Sequence, residues 1–194
     1  MGRHVLIIDG HPDPREARLN HALAAAYAHG AQLAGHEVRH IAVGQLKLPL
    51  LTCSEEFFDT PPSPAVTAVQ QDIRWAEHLV IFYPLWLGSM PAQLKGFFEQ
   101  VMRPGFAYAQ GKGRGLPKKL LKGRSARIVV TMGMPAAFYR HVYRAHSLKS
   151  LKRNILAFCG IGPIRDSVIG NVEGNAVGRA AWLRKMEVFG RRAT

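Results

Sequence analysis

"LVIFYPLWLGSMPAQLKGFFEQV", residues 79–101, opens as a continuous apolar run and closes as an amphipathic helix, with Pro84, Gly88 and Pro91 crowded into the join. An apolar run without alternation suits a strand covered on both faces, as in a parallel sheet flanked by helices. Residues 79–83 therefore predict an interior strand. Pro91 is placed at the first helical position, where its fixed φ is favourable and its missing N–H costs nothing. The turn between them then sits at the carboxyl end of a strand, the edge where open parallel sheets bind ligands.

The same alternation runs outward in both directions. "HVLIID", His4–Asp9, predicts the first strand, followed by helical spacing of Leu19, Leu23, Ala26, Tyr27, Gly30 and Leu33 with Gly35 as a stop. Residues 38–43 give a second strand, 126–132 a fourth and 164–169 a fifth. A helix is expected after Pro64, a long one over 137–159, and a last one through Val177, Ala180, Leu183 and Met186. Residues 44–64 are left as a long irregular connection, a kind of loop that is often functional. Strands alternating with helices throughout predict a single α/β domain over 1–194, a flavodoxin-like three-layer sandwich with a five-stranded parallel sheet of order 2-1-3-4-5. A glycine-rich basic insertion at 107–124, extended or a hairpin, precedes the fourth strand.

Composition narrows the class. The chain has 194 residues, enough for one well-cored domain, and a formal charge of +13. No apolar run approaches the roughly 20 residues that span a bilayer. The N-terminal apolar stretch is short and followed by acid and proline, unlike a signal peptide. Cys53 and Cys159 are isolated, which argues against a disulfide framework or a zinc site and predicts a reducing, cytoplasmic setting with no metal. No acidic residue occurs between Glu99 and Asp166, whereas Lys112, Arg114, Lys118, Lys119, Lys122 and Arg124 are among the cations there. Such a flank attracts phosphorylated ligands, anionic membrane or nucleic acid. The chain carries no GxxxxGK[ST], HExxH or GxSxG motif, so hydrolytic chemistry has no support, and no nucleic-acid module accompanies the charge.

Three loops fall at the carboxyl ends of the predicted strands. "GHPDPREARLN" (10–20) leads into a helix whose free N–H groups can receive a phosphate, with His11 and Asn20 as polar contributors. "PLWLGSMP" (84–91) offers backbone N–H groups and a flat apolar wall at Trp86. "TMGMPAAFY" (131–139) holds Thr131, Gly133 and Pro135, which let the backbone approach a planar ligand. Beyond it Tyr139, Tyr143 and His146, spaced by four and three, share one face of the expected long helix, beside a core stripe through Phe138, Val142, Ala145, Leu151, Ile155 and Phe158.

Taken in order, "HPDP" with "LN", "YPLWLGSMPAQLKGFFEQVMRPGFAY", "VVTMGMPAAFYR" and "ILAFCGI" resemble the NAD(P)H:quinone oxidoreductase family of flavodoxin-like flavoproteins. That family includes DT-diaphorase, bacterial modulators of drug activity and the ancillary oxidoreductases of glutathione-gated potassium efflux. The resemblance implies a homodimer that passes hydride from NAD(P)H to a flavin and on to a quinone. It places the flavin phosphate around His11, Arg18, Leu19 and Asn20. The ring system falls against Pro84, Leu85, Trp86, Leu87 and Gly88, and against Thr131, Met132 and Gly133. Tyr139 and His146 match the residues associated with hydride transfer and quinone binding, with Tyr143 as a substitute for His146. FMN is expected, with FAD as the alternative, because no extra segment is left over for an adenylate. Two departures stand out: Ala17 occupies a position where relatives carry a phosphate-binding hydroxyl, which shifts anchoring to backbone N–H groups, His11 and Asn20 with Arg15 or Arg18, and the tyrosine-to-histidine spacing differs. Arg140 and Arg144 are candidates for the extra phosphate of NADPH. The alternative function is a flavin-binding ancillary subunit of a membrane potassium-efflux transporter, docked through the basic flank.

Overall fold

The computed structural model describes residues 2–109, 111, 115–174 and 176–194; Lys112 and Arg114 of the basic insertion lie outside the described residues. The apolar runs pair in parallel as β1 (His4–Asp9), β2 (Glu37–Ala42), β3 (His78–Pro84), β4 (Ser125–Thr131) and β5 (Ile164–Ile169), in the order 2-1-3-4-5. All seven residues of β3 are buried. This follows from its interior place between β1 and β4, where neither edge nor face meets water.

The sheet has two apolar faces because successive side chains point oppositely. Val5, Ile7, Val80 and Phe82 pack under α1 (Leu19–Leu33), with Val129 of β4 and Ile169 of β5 beside them. Leu6, Ile8, Leu79 and Ile81 pack on the other face, with α2 (Pro64–Trp75) and α3 (Ala92–Val101). The chain from 136 to 159 covers the same face with α4 (Ala136–His141), α5 (His146–Ser150), a π-helical turn at Leu151–Leu156 and a short turn at Ala157–Cys159. The last helix, α6 (Ala176–Arg192), lies against α1, and the two approach so closely that a Cβ on Gly30 would sit 2.1 Å from the Glu187 carbonyl. Glycine is required there by contact rather than by dihedral angle. Ser63 caps α2 by accepting from the Val66 N–H at 3.3 Å, with Pro64 opening the helix.

Several expectations are corrected. Pro91 is the residue before α3, with φ −54° and ψ 145°, and the helix starts at Ala92. Its carbonyl accepts from Lys95, so proline shapes the approach to the helix rather than its first turn. The connection 44–64 is not wholly irregular: a 3-10 turn (Val43–Gln45) begins it and a helix at Ser54–Phe58 lies within it. The long helix over 137–159 is broken by Arg144 and Ala145, both left-handed at φ 51° and 49°. The break rotates the stripe, leaving Phe138 and Val142 46% and 60% exposed while Tyr139 is buried. The basic insertion does form a hairpin, with Tyr108–Ala109 antiparallel to Lys118–Lys119. Its flank is less free than charge alone implies, because Arg124 donates to the Ile73 and Arg74 carbonyls while Arg140 and Lys152 pair with Asp166. No described helix is long and apolar enough to cross a membrane.

Candidate active site

The parallel register delivers three loops to one edge. Asp9 ends β1, Pro84 ends β3 opposite Thr131 at the end of β4, and Leu85 N–H donates to the Thr131 carbonyl at 2.8 Å. The first helix opens at the same edge without a side-chain cap, so its leading N–H groups are available to an anion. Asn20, in its first turn and 2% exposed, accepts from the Thr131 hydroxyl at 2.6 Å. That bond ties the third loop to the first. The Asn20 amide nitrogen is left buried with no partner among the described residues. An orphaned buried donor costs about 1–3 kcal/mol, and Tyr27, His78 and Tyr83 each carry another unpartnered buried polar atom.

His11, in the loop before this helix, is buried. Its Nδ1 accepts from the Asp13 N–H at 3.1 Å, which assigns the ring proton to Nε2 and leaves that nitrogen as a donor. Burial, then the neighbouring His21, holds its pKa below the ordinary histidine value, so the ring is neutral near pH 7. Arg15 and Arg18 both bind the Asp13 carboxylate, which they hold well below the usual range for an acid. Two guanidinium groups are thus gathered at the mouth of the helix. Ala17 supplies no hydroxyl, as its side chain requires.

The turn after β3 is a two-residue hairpin loop. Trp86 and Ser89 exchange backbone hydrogen bonds at 2.9 and 3.0 Å, and Leu87 and Gly88 both have positive φ, 47° and 77°. Gly88 takes that conformation freely; Leu87 does so at a cost of about 1 kcal/mol or more. The loop carries Trp86 half exposed and Leu87 fully exposed. The Trp86 ring meets the His11 ring edge-on with centroids 6.0 Å apart. Gly133 closes the group from β4, and a Cβ there would meet nothing nearer than the Glu173 carboxylate at 3.8 Å. His11 thus meets Trp86 and Asn20 meets Thr131, with Pro84, Leu85, Leu87, Gly88, Met132 and Gly133 in the adjoining turns.

Tyr139, Tyr143 and His146 are not brought to one face. The Tyr139 hydroxyl hydrogen-bonds Ser147 Oγ at 2.7 Å and accepts from Leu148 N–H at 3.2 Å. With 1% exposure it is a core group that holds the start of α5, rather than a group at an open ligand edge. Tyr143 is 44% exposed and packs edge-on against Phe138, and His146 is exposed beyond the left-handed corner. Arg140, bound to Asp166, is likewise less free for a phosphate than its sequence position suggests.

Asp9 and His21 did not stand out in the sequence. His21 donates from Nδ1 to Asp9 and from Nε2 to the Asp13 carbonyl at 2.9 Å. The one available signal was an acid ending an otherwise apolar strand. A cavity of about 510 Å³ opens beside this pair, on the β2 side of His11, lined by His40, Ala42 and the alanines of α1. Its lining includes His11, whose ring meets Trp86, together with Asp9, Pro14, Glu16 and His21.

A family model described as having a flavodoxin-like fold matches residues 3–187. The chain belongs to this flavodoxin-like family. A ribosyldihydronicotinamide dehydrogenase-like protein of Penicillium crustosum is 29% identical over 154 residues, 66% of this chain and 57% of its own length. An FMN-dependent NADH:quinone oxidoreductase of Ruegeria pomeroyi is 30% identical over 70 residues, 36% of this chain and 34% of its own. The chain spans about half the length of the curated relatives it matches. The solved NAD(P)H:quinone oxidoreductase from Methanothermobacter marburgensis shares the flavodoxin-like fold, with a TM-score of 0.84 at 22% identity and coverage of 100% of both chains.

Proposed function

We propose that this chain is an FMN-dependent NAD(P)H:quinone oxidoreductase. The observation that carries this is the buried, unpartnered amide of Asn20 at the uncapped start of α1, next to the exposed apolar turn of Trp86 and Leu87. A phosphate fits the first and a flat ring fits the second, and the names of the relatives point to the same cofactor. When bound, FMN supplies the two-electron chemistry, accepting hydride from NAD(P)H and giving it up to a quinone.

The residues divide the work. The N–H groups of Leu19 and Asn20, the Asn20 amide and His11 Nε2–H hold the phosphate, with Arg18 and Arg15 close enough to exchange Asp13 for it. Pro84, Leu85, Trp86, Leu87 and Gly88 form an apolar wall against the ring, and the backbone of Thr131, Met132 and Gly133 approaches its polar edge. The Met132 N–H already donates to the Ile169 carbonyl at 2.9 Å, so a backbone donor toward that edge would come from Gly133, on a strand end too rigid to need reorganising. Tyr143 and His146, both exposed beside the left-handed corner, would be the side chains to meet the nicotinamide or the quinone. Exposed Phe138, Val142 and Tyr143 make an apolar surface suited to a second copy of the chain, which would cover the open edge. None of the relatives named here speaks for a transporter subunit.

The visible spectrum of the purified protein, with mass spectrometry of the released chromophore, tests the assignment. FMN at one per chain is expected. Colourless protein that takes up neither FMN nor FAD would overturn it.

A further inference from the structure

With Asp9 ionised, both partners of His21 can only accept: the Asp9 carboxylate and the Asp13 backbone carbonyl. A neutral imidazole has one N–H and cannot serve both. The ring in this arrangement is therefore an imidazolium. It joins the end of β1 to the middle of the loop, because Asp9 also accepts from the His11 N–H at 3.1 Å and Asp13 also donates to His11 Nδ1. Asp13 in turn collects Arg15 and Arg18. The His21 side chain thus bridges the strand end and the loop on which His11 and both arginines stand.

We propose that His21 is a positioning residue for the cofactor phosphate: its doubly protonated ring locks the loop 10–18 in the phosphate-receiving conformation, and its deprotonation releases that loop. This rests on the FMN assignment above. On losing a proton the ring keeps its bond to the Asp9 carboxylate, the stronger acceptor, and turns a lone pair toward the Asp13 carbonyl. Asp13 then keeps only its N–H bond to His11 Nδ1 and loses the one to its carbonyl, and the site loses a positive charge.

The groups facing His21 fix the pH range. These are Asp9 from β1, His11, Asp13 and Glu16 from the loop, with Arg18 one contact further out on Asp13, and His40 from β2. Burial works against the His21 charge, but the bonds to Asp9 and to the Asp13 carbonyl outweigh it, and the pKa lies above the ordinary histidine value. Burial lowers the pKa of His11 and of His40, so both remain neutral where His21 titrates. The second ionisation of a phosphate monoester, at about pH 6, is mostly over by about pH 7 and tends to tighten rather than weaken binding as pH rises.

The test compares FMN with riboflavin, which has the same ring and no phosphate, by fluorescence quenching of cofactor-free protein between pH 6.5 and 9. The Kd for FMN is expected to rise about tenfold across this range, the loss of one charge-assisted hydrogen bond, while that for riboflavin stays level. His21→Gln should bind FMN weakly at every pH, and His21→Arg, which keeps a charge and several donors, should bind it tightly without the pH dependence. Nitrogen chemical shifts of the His21 ring, read in cofactor-free protein, should show two N–H groups at pH 6.5. A singly protonated ring at pH 6.5, or FMN and riboflavin profiles that move in parallel, would overturn the proposal while leaving the flavin assignment standing. Failure to bind either flavin at any pH would overturn both.

Discussion

Asn20 does two things with one side chain: its oxygen fastens β4 to α1 through Thr131, and its nitrogen is left without a partner. Asn20→Asp separates them, since the carboxylate can still accept from Thr131 but places an anion where the free amide was. FMN affinity is expected to fall at least about tenfold with little loss of folding stability, measured by fluorescence titration and thermal melting. Unchanged FMN binding would mean that the amide does not face the phosphate. Tyr139 gives the opposite case. Its hydroxyl serves Ser147 and Leu148, so Tyr139→Phe should destabilise the fold by about 1–2 kcal/mol and largely spare flavin reduction. A large loss of reduction rate at an unchanged melting temperature would restore the tyrosine to the chemistry. Asn20 was expected at the phosphate from its place at the helix start, but its bond to Thr131 and the buried place of Tyr139 were not legible, because a residue type and a spacing do not reveal which side of a helix meets the core once the helix breaks.

The elements themselves were legible to the extent that their pattern was strong. β1 and β3 could be read from unbroken apolar runs, since an interior parallel strand has no polar face to confuse the signal. The broken helix after β4 could not, because Tyr143, Arg144 and Ala145 are compatible with a continuous helix and only tertiary packing sets Arg144 and Ala145 left-handed. The turn after β3 was recognised as special from its prolines, yet its device lies elsewhere, in Leu87 held at positive φ. Replacing Leu87 by asparagine, which tolerates that conformation, should raise stability by about 0.5–1 kcal/mol, while quinone KM rises as the apolar tip is lost. Melting temperature and steady-state kinetics measure both, and a variant with lower stability would show that the leucine is not strained.

Across the whole molecule, two histidines couple proton binding to different ends of the sheet. His78, at the start of β3, is buried neutral, with burial and then Arg3 and Arg127 pushing its pKa down to about 3. The unfolded chain binds this proton more readily, so His78 contributes stability above its unfolded pKa of about 6.5 that is lost progressively as pH falls toward 3. His21 has the opposite sign, with stability present in acid and lost as pH rises through its raised pKa. His78→Phe should therefore flatten the acid side of the melting-temperature profile between pH 7 and 5; an unchanged slope would place the acid sensitivity elsewhere. The same arrangement explains why the ligand edge was readable before the structure was: strand order alone brings the ends of β1, β3 and β4 together, whereas the His21 tether depends on a loop whose path no periodicity encodes. The central claim is that this edge holds a flavin which NAD(P)H reduces. Anaerobic stopped-flow mixing of the FMN-loaded protein with NADH or NADPH tests it most directly. Bleaching of the flavin absorbance, followed by its return on adding a quinone, is the expected result, and a flavin band that persists with both donors would contradict it.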